Sequence, residues 1–218
     1  LKPHAGGIVR AWSAPGEHEI RDDQGIGISN PDTGLLQLYN LAGAYDFNVA
    51  LSITYGVSRR ESFEKLAEIL RSMEVRGNDL HLNVDFHYGL LHWLLGNDPM
   101  LKPNTRFVSA YLALAGKIKR ICDQVNLEVA WKIQLGNVQK KYGKAGLIIS
   151  EQKLSLPLRP LKKLFSRTHL LMGWLAFQNS KNEGNNPSAK QNPVLILRDL
   201  YHFLRMDKQP GIPPRDTI

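Results

Sequence analysis

Two stretches of strict alternation and several helical stripes organise this chain. Phe47, Val49, Leu51, Ile53 and Tyr55 alternate with Asn48, Ala50, Ser52 and Thr54, which predicts a half-buried strand. Ser58 and Glu61 then form a capping box, and Phe63, Leu66, Ile69, Leu70 and Met73 follow at helical spacing. Beyond Gly77 and Asn78 alternation returns, with Leu80, Leu82, Val84, Phe86 and Tyr88 set against His81, Asn83, Asp85 and His87. The apolar run Leu90–Leu95 closes this strand–helix–strand unit at Gly96.

The flanks read differently. Residues 1–34 are rich in Gly, Pro and Asp and predict an extended arm, with turns at GIG (25–27) and NPDTG (30–34). Leu35 to Ala44 predicts a short helix. After the bracket of Pro99 and Pro103, a helix is expected with Val108, Tyr111, Leu112, Ala115, Ile118 and Cys122 on one face. Leu127, Val129, Trp131, Ile133 and Leu135 alternate again and predict a third strand, followed by the basic loop GNVQKKYGKAG. Short strands at 147–149 and 154–158, a helix over 161–177, a polar linker over 178–192 and a last helix capped by Asn192 and started by Pro193 complete the chain. The fold class expected is α+β, a mostly antiparallel sheet with packed helices and a helical C-terminal extension. The expected divisions are an arm (1–34), a core (35–158) and a basic extension (159–218).

Charge placement changes the picture. The net charge is +8 over 218 residues, yet residues 1–109 hold 10 Lys or Arg against 13 Asp or Glu, and residues 110–218 hold 18 against 7. Between 117 and 167 there are 12 basic residues and 3 acidic ones. Such asymmetry points to a polyanionic partner for the second half: nucleic acid, an anionic membrane surface or an acidic protein. The candidate binding residues are Lys117, Lys119, Arg120, Lys132, Lys140, Lys141, Lys144, Lys153, Lys162, Lys163 and Arg167, with Arg159 among them in sequence. The plain alternative is solvated charge that serves solubility. Aromatic residues suited to base stacking are sparse in this segment, which disfavours sequence-specific single-strand recognition.

Candidate chemistry is thinner. His81, Asp85 and His87 share one face of the expected second strand, where positions i and i+2 lie about 7 Å apart, within reach of a shared ion or a general base. A solvated outer face is the simpler reading. The single cysteine, Cys122, excludes an internal disulfide and a multi-thiolate metal site, and its place on an apolar stripe predicts an inert buried thiol. No catalytic residues, metal or cofactor are expected: no serine sits in a nucleophile elbow, and P-loop and kinase signatures are missing. GIGIS lacks the preceding strand and third glycine of a dinucleotide fingerprint. The apolar runs fall short of the roughly 18 residues a spanning helix needs, and the opening Leu-Lys-Pro-His carries neither a signal-peptide core nor a start methionine.

FNVALSITYG, VSRRESFEKLAEILRSM, LHLNVDFHYG and LLHWLLG together resemble the core of rhabdovirus matrix proteins, and LEVAWKIQL falls where that family has another alternating strand. The likeness covers about half the chain. It departs from the family in having no PPxY motif, no lysine-rich N-terminus, a basic loop after the third strand and two additional C-terminal helices. The resemblance implies a non-enzymatic virion structural protein that self-assembles and contacts anionic membrane and nucleocapsid or RNA, located in the virion, host cytoplasm or inner membrane surface. The competing expectation is an RNA-binding or RNA-processing protein with a ferredoxin-like core that uses His81, Asp85 and His87. An adaptor for acidic proteins is a third.

Overall fold

The computed structural model describes residues 7–13, 20–24, 29–41, 50–80, 82–97, 104–142, 158–182 and 193–206. The fold is α+β, with antiparallel strand pairing, and the chain divides into two compact units, Leu1–Met100 and Leu101–Ile218. The division falls inside the Pro99–Pro103 bracket and within the segment 35–158 expected as a core.

In the first unit, β1 (Gly7–Ser13) lies between β3 (Tyr39–Leu41) and β5 (Glu74–Asn78), antiparallel to both. Val9, fully buried, pairs with Tyr39 on one side and Gly77 on the other, and a bulge interrupts the β1–β5 register between Val9 and Ala11. Gly77 is required there, because a Cβ would collide with the Ile8 carbonyl oxygen. A separate ribbon pairs β2 (Ile20–Gln24) with β4 (Ala50–Thr54), Arg21 opposite Ile53 and Asp23 opposite Leu51.

Helix α1 (Arg59–Ser72) starts as its sequence predicts. Ser58 is the N-cap, its Oγ accepting from the Glu61 N–H at 3.2 Å, and Glu61 Oε2 accepts from the Val57 N–H at 2.8 Å. The Lys65 ammonium beside Glu61, together with that Val57 N–H, holds the carboxyl below its usual range. The buried face comprises Ala67, Ile69 and Leu70, continued by Met73. It packs on α2 (Val84–Asn97), and Arg60 donates to the Leu95 carbonyl at 3.4 Å.

Four expectations are overturned in this unit. The alternating run 80–88 is not a strand. From Val84 it is helix, the His87 N–H bonding to the Asn83 carbonyl at 3.0 Å. Its buried residues Phe86, Tyr88, Gly89, Leu91, Leu94 and Leu95 recur at three and four, so the apolar run that follows the alternation decides the period. Alternation does hold in β4, but with the opposite face inward. Leu51, Ile53 and Tyr55 are 52%, 46% and 66% exposed, while Thr54 Oγ1 reaches the Ser62 carbonyl at 2.9 Å. Phe47 to Val49 lie outside the described residues. Residues 35–44 form no helix among their described positions, supplying instead the short β3 with Leu35, Leu36 and Leu38 exposed. The expected arm contributes β1 and β2 to the two sheets. Its NPDTG turn forms as expected, Asn30 Oδ1 accepting from the Asp32 and Thr33 N–H groups at 2.9 and 3.2 Å, with Gly34 at φ +67°.

The second unit is helical throughout its described length. Helix α3 (Phe107–Gln124) buries Tyr111, Ala115 and Cys122 in one row, with Val108 and Leu112 exposed. Residues 127–135 are not a third strand but the start of α4 (Leu127–Tyr142). Asn126 Oδ1 caps it, accepting from the Glu128 and Val129 N–H groups at 3.2 and 3.1 Å. The residues between the apolar positions (Glu128, Ala130, Lys132 and Gln134) are all good helix formers, and the cap tips the choice. Helix α4 also takes in the first part of the expected basic loop.

The single helix expected over 161–177 is two, α5 (Leu158–Ser166) and α6 (Thr168–Asn182), broken at Arg167, whose N–H bonds to the Leu164 carbonyl at 3.3 Å. Pro193 opens α7 (Pro193–Phe203) at the helix position that proline favours. Asn192 and the strands expected at 147–149 and 154–157 lie outside the described residues, and Leu158 belongs to α5. Helix α3 packs on α5 and α6, α4 on α5, and α5 on α6. Trp174, Phe177 and Phe203 form an aromatic cluster with centroids 5.3–5.9 Å apart that joins α6 to α7, and Leu170, Leu200, Leu204 and Met206 are buried in the same unit.

Candidate polyanion-binding surface

The cations expected to act together divide by what the fold does with each. On α3, Lys117 and Arg120 stand opposite the buried row of Tyr111, Ala115 and Cys122 and are exposed. Arg106, at the helix start, lies 11 and 14 residues before them, close to whole turns, so it joins the same outward row. Sequence reading passed over Arg106 because it stood apart from the basic segment. On α4, Lys132 and Lys140 are also exposed. Among the described residues no carboxylate lies within ion-pair distance of these five cations, although Lys132 is near enough to Glu128, one turn before it, to help lower that carboxyl.

The others are committed or lie elsewhere. Lys119 pairs with Asp123 one turn along α3. Lys162 on α5 donates to Glu128 Oε1 on α4 at 2.7 Å, a contact that holds the Glu128 carboxyl below its usual range and fastens the start of α4. Lys163 is turned inward. It is half-buried, its Nζ donates to the Leu204 carbonyl at 2.8 Å near the C-terminus of α7, and burial together with the Arg205 guanidinium lowers the ammonium to about 8. That carbonyl is one of those a helix end leaves without an internal partner, so Lys163 acts as a cap rather than a contact for ligand. Arg167 is exposed in the corner between α5 and α6. The side chain of Lys141 and the whole of Lys144 and Lys153 lie outside the described residues.

The histidine set does not assemble. His81 lies outside the described residues, while Asp85 and His87 fall on a helix, where positions two apart point about 200° from one another rather than along one face. His92 packs edge-on against the Tyr88 ring at 4.6 Å, and burial lowers its imidazole to about 4, a neutral core histidine. Among the described residues no group of three His, Cys, Asp or Glu is placed to hold a metal. Burial pushes the Cys122 thiol up, with Asp123 adding to the shift, so it is a poor nucleophile.

A shallow cleft of about 500 Å³ opens at the α3–α4 corner, lined by residues 123–128 and Lys162. Its two carboxylates, Asp123 and Glu128, are the ones already paired with Lys119 and Lys162. What remains outward is cationic and, at Ile121, Val125, Val129 and Ile133, apolar. Their spacing of four was in the sequence, although the strand reading of 127–135 concealed it.

No family model, curated protein or solved structure matches the chain. Among the described residues no helix is long and apolar enough to cross a membrane. The arrangement that the second unit presents is suited to electrostatic attachment. Against an anionic surface each exposed cation is worth roughly 1 kcal/mol, so the row of Arg106, Lys117 and Arg120 would supply about 3 kcal/mol.

Proposed function

We propose that this chain is a non-enzymatic structural protein of matrix type, which self-associates and attaches through the basic surface of its second unit to a phosphate-rich partner, an anionic membrane or a nucleocapsid. The observation that carries this reading is the row of Arg106, Lys117 and Arg120 on α3, with Lys132 and Lys140 on α4, exposed and without ion pairs among the described residues. The reading rests on this charge arrangement and no longer on the strand–helix–strand outline, since the second strand of that outline, and the further strand expected at 127–135, are helices. The rival RNA-processing reading loses its site with the strand face of His81, Asp85 and His87.

Binding to anionic vesicles and to RNA, followed across a salt series, tests the proposal. Affinity falls steeply with salt if the cations carry it. Charge reversal at Lys117, Arg120, Lys132 and Lys140 abolishes it. The same reversal at Lys162, already spent on Glu128, changes it little. Binding that ignores both salt and these substitutions refutes the reading. Filaments, sheets or tubes in electron micrographs at low salt test self-association, and dispersed particles at every concentration count against it.

A further inference from the structure

Helix α4 carries its apolar residues on the wrong side for a helix that only completes a core. Trp131 is half-buried and α4 packs on α5, yet Val129 and Ile133 are 51% and 61% exposed. Four residues apart, they stand opposite Trp131, and Lys140 continues their row a further seven residues on. Lys132 flanks the row. At the corner leading into α4, Ile121 and Val125 are 63% and 41% exposed, next to Lys117 and Arg120 on the last turns of α3. Polyanions differ in what they offer such a surface. Single-stranded nucleic acid accepts the cations but binds through bases stacked on aromatic rings, and gains little from β-branched aliphatic side chains. An anionic bilayer accepts both, taking the cations at its phosphates and aliphatic groups at the boundary between headgroups and acyl chains.

We propose that the outer face of α4 is an interfacial membrane anchor, with Val129 and Ile133 entering an anionic lipid surface while Lys132 and Lys140 hold its headgroups. This rests on the basic-surface reading and selects the lipid among its possible partners. At 16 residues α4 is about 24 Å long, short of the hydrocarbon thickness, so it lies in the plane of the surface.

The test uses the full chain and vesicles of phosphatidylcholine containing about one third phosphatidylserine. Val129→Ser with Ile133→Ser, changes at exposed positions whose folding circular dichroism checks, weakens vesicle binding roughly tenfold or more and removes the part that survives high salt, while RNA binding stays within about twofold. Independently, the added indole in Ile133→Trp gives an emission component that shifts to the blue on vesicle addition and is quenched by brominated lipid. Unchanged vesicle affinity in the double variant, with no effect of vesicles on Ile133→Trp, overturns the anchor. If charge reversal still abolishes binding in that case, the basic-surface reading stands without it. A double variant that instead loses sedimenting mass, with vesicle binding intact, assigns the face to a second copy and equally overturns the anchor.

Discussion

Lys163 offers a prediction whose sign runs against the usual behaviour of a lysine. Its ammonium is lowered from 10.5 to about 8, first by burial and then by Arg205, while its Nζ is held at 2.8 Å from the Leu204 carbonyl. In the unfolded chain the same group keeps its proton up to about 10.5. Between these values the unfolded state binds more protons, so stability rises with pH from about 8 and levels off near 10.5. A shift of this size corresponds to about 3 kcal/mol at most, and partial exposure reduces it to about 2 kcal/mol. The neutral amine keeps a donor for the carbonyl, so the cap survives deprotonation. Lys163→Met removes the titration. Urea unfolding followed by circular dichroism at several pH values from about 7 to 10 gives the difference between the two proteins. Tyr111, whose phenol burial raises well above its ordinary value, is common to both and cancels in that difference. The variant's advantage at neutral pH shrinks as pH rises. Parallel pH profiles, the two differing by the same amount at every pH, would refute the inward placement of Lys163.

Other outcomes follow from single contacts. His92 and His169 are both held near 4, by burial alone for the first and by burial plus Arg167 for the second, so each contributes stability that is full above 6.5 and lost as pH falls toward 4. The loss is about 2 to 3 kcal/mol per histidine, and His92→Phe, which keeps the ring against Tyr88, shifts the acid midpoint of unfolding downward. Gly77→Ala drives a Cβ into the Ile8 carbonyl and costs about 2 kcal/mol or more, read as faster amide exchange along β1 and β5. Ser58→Ala removes the α1 cap at a cost of about 1 kcal/mol, a few degrees in the melting midpoint.

Much of what was legible in the sequence was local. The Ser58–Glu61 box, the α3 stripe through Tyr111, Ala115 and Cys122, the Asn30 turn and the proline that opens α7 all depend on neighbours within a few positions, and all form. The two lost strands depended on period two over nine residues, a signal that a helix also satisfies when alternate positions happen to be apolar. Asn126 as a cap and the crowded apolar run after Tyr88 settled those segments as helix. Strand β4 kept its period, but only its packing against α1 decides that Thr54, not Ile53, faces inward. For the site, charge density was readable from composition, and the Lys119–Asp123 pair from its spacing of four. That Lys162 reaches back 34 positions to Glu128, and Lys163 forward 41 to Leu204, is written only in the tertiary fold.

The parting of the chain at Met100 and Leu101 also sorts its charge. Residues 1–100 hold 8 basic and 13 acidic groups and residues 101–218 hold 20 and 7, so the two units carry −5 and +13. The +8 of the whole is thus the difference between two units of unlike sign. A single figure for the whole chain hides that opposition, and any contact with a charged body is met by two units of opposite sign.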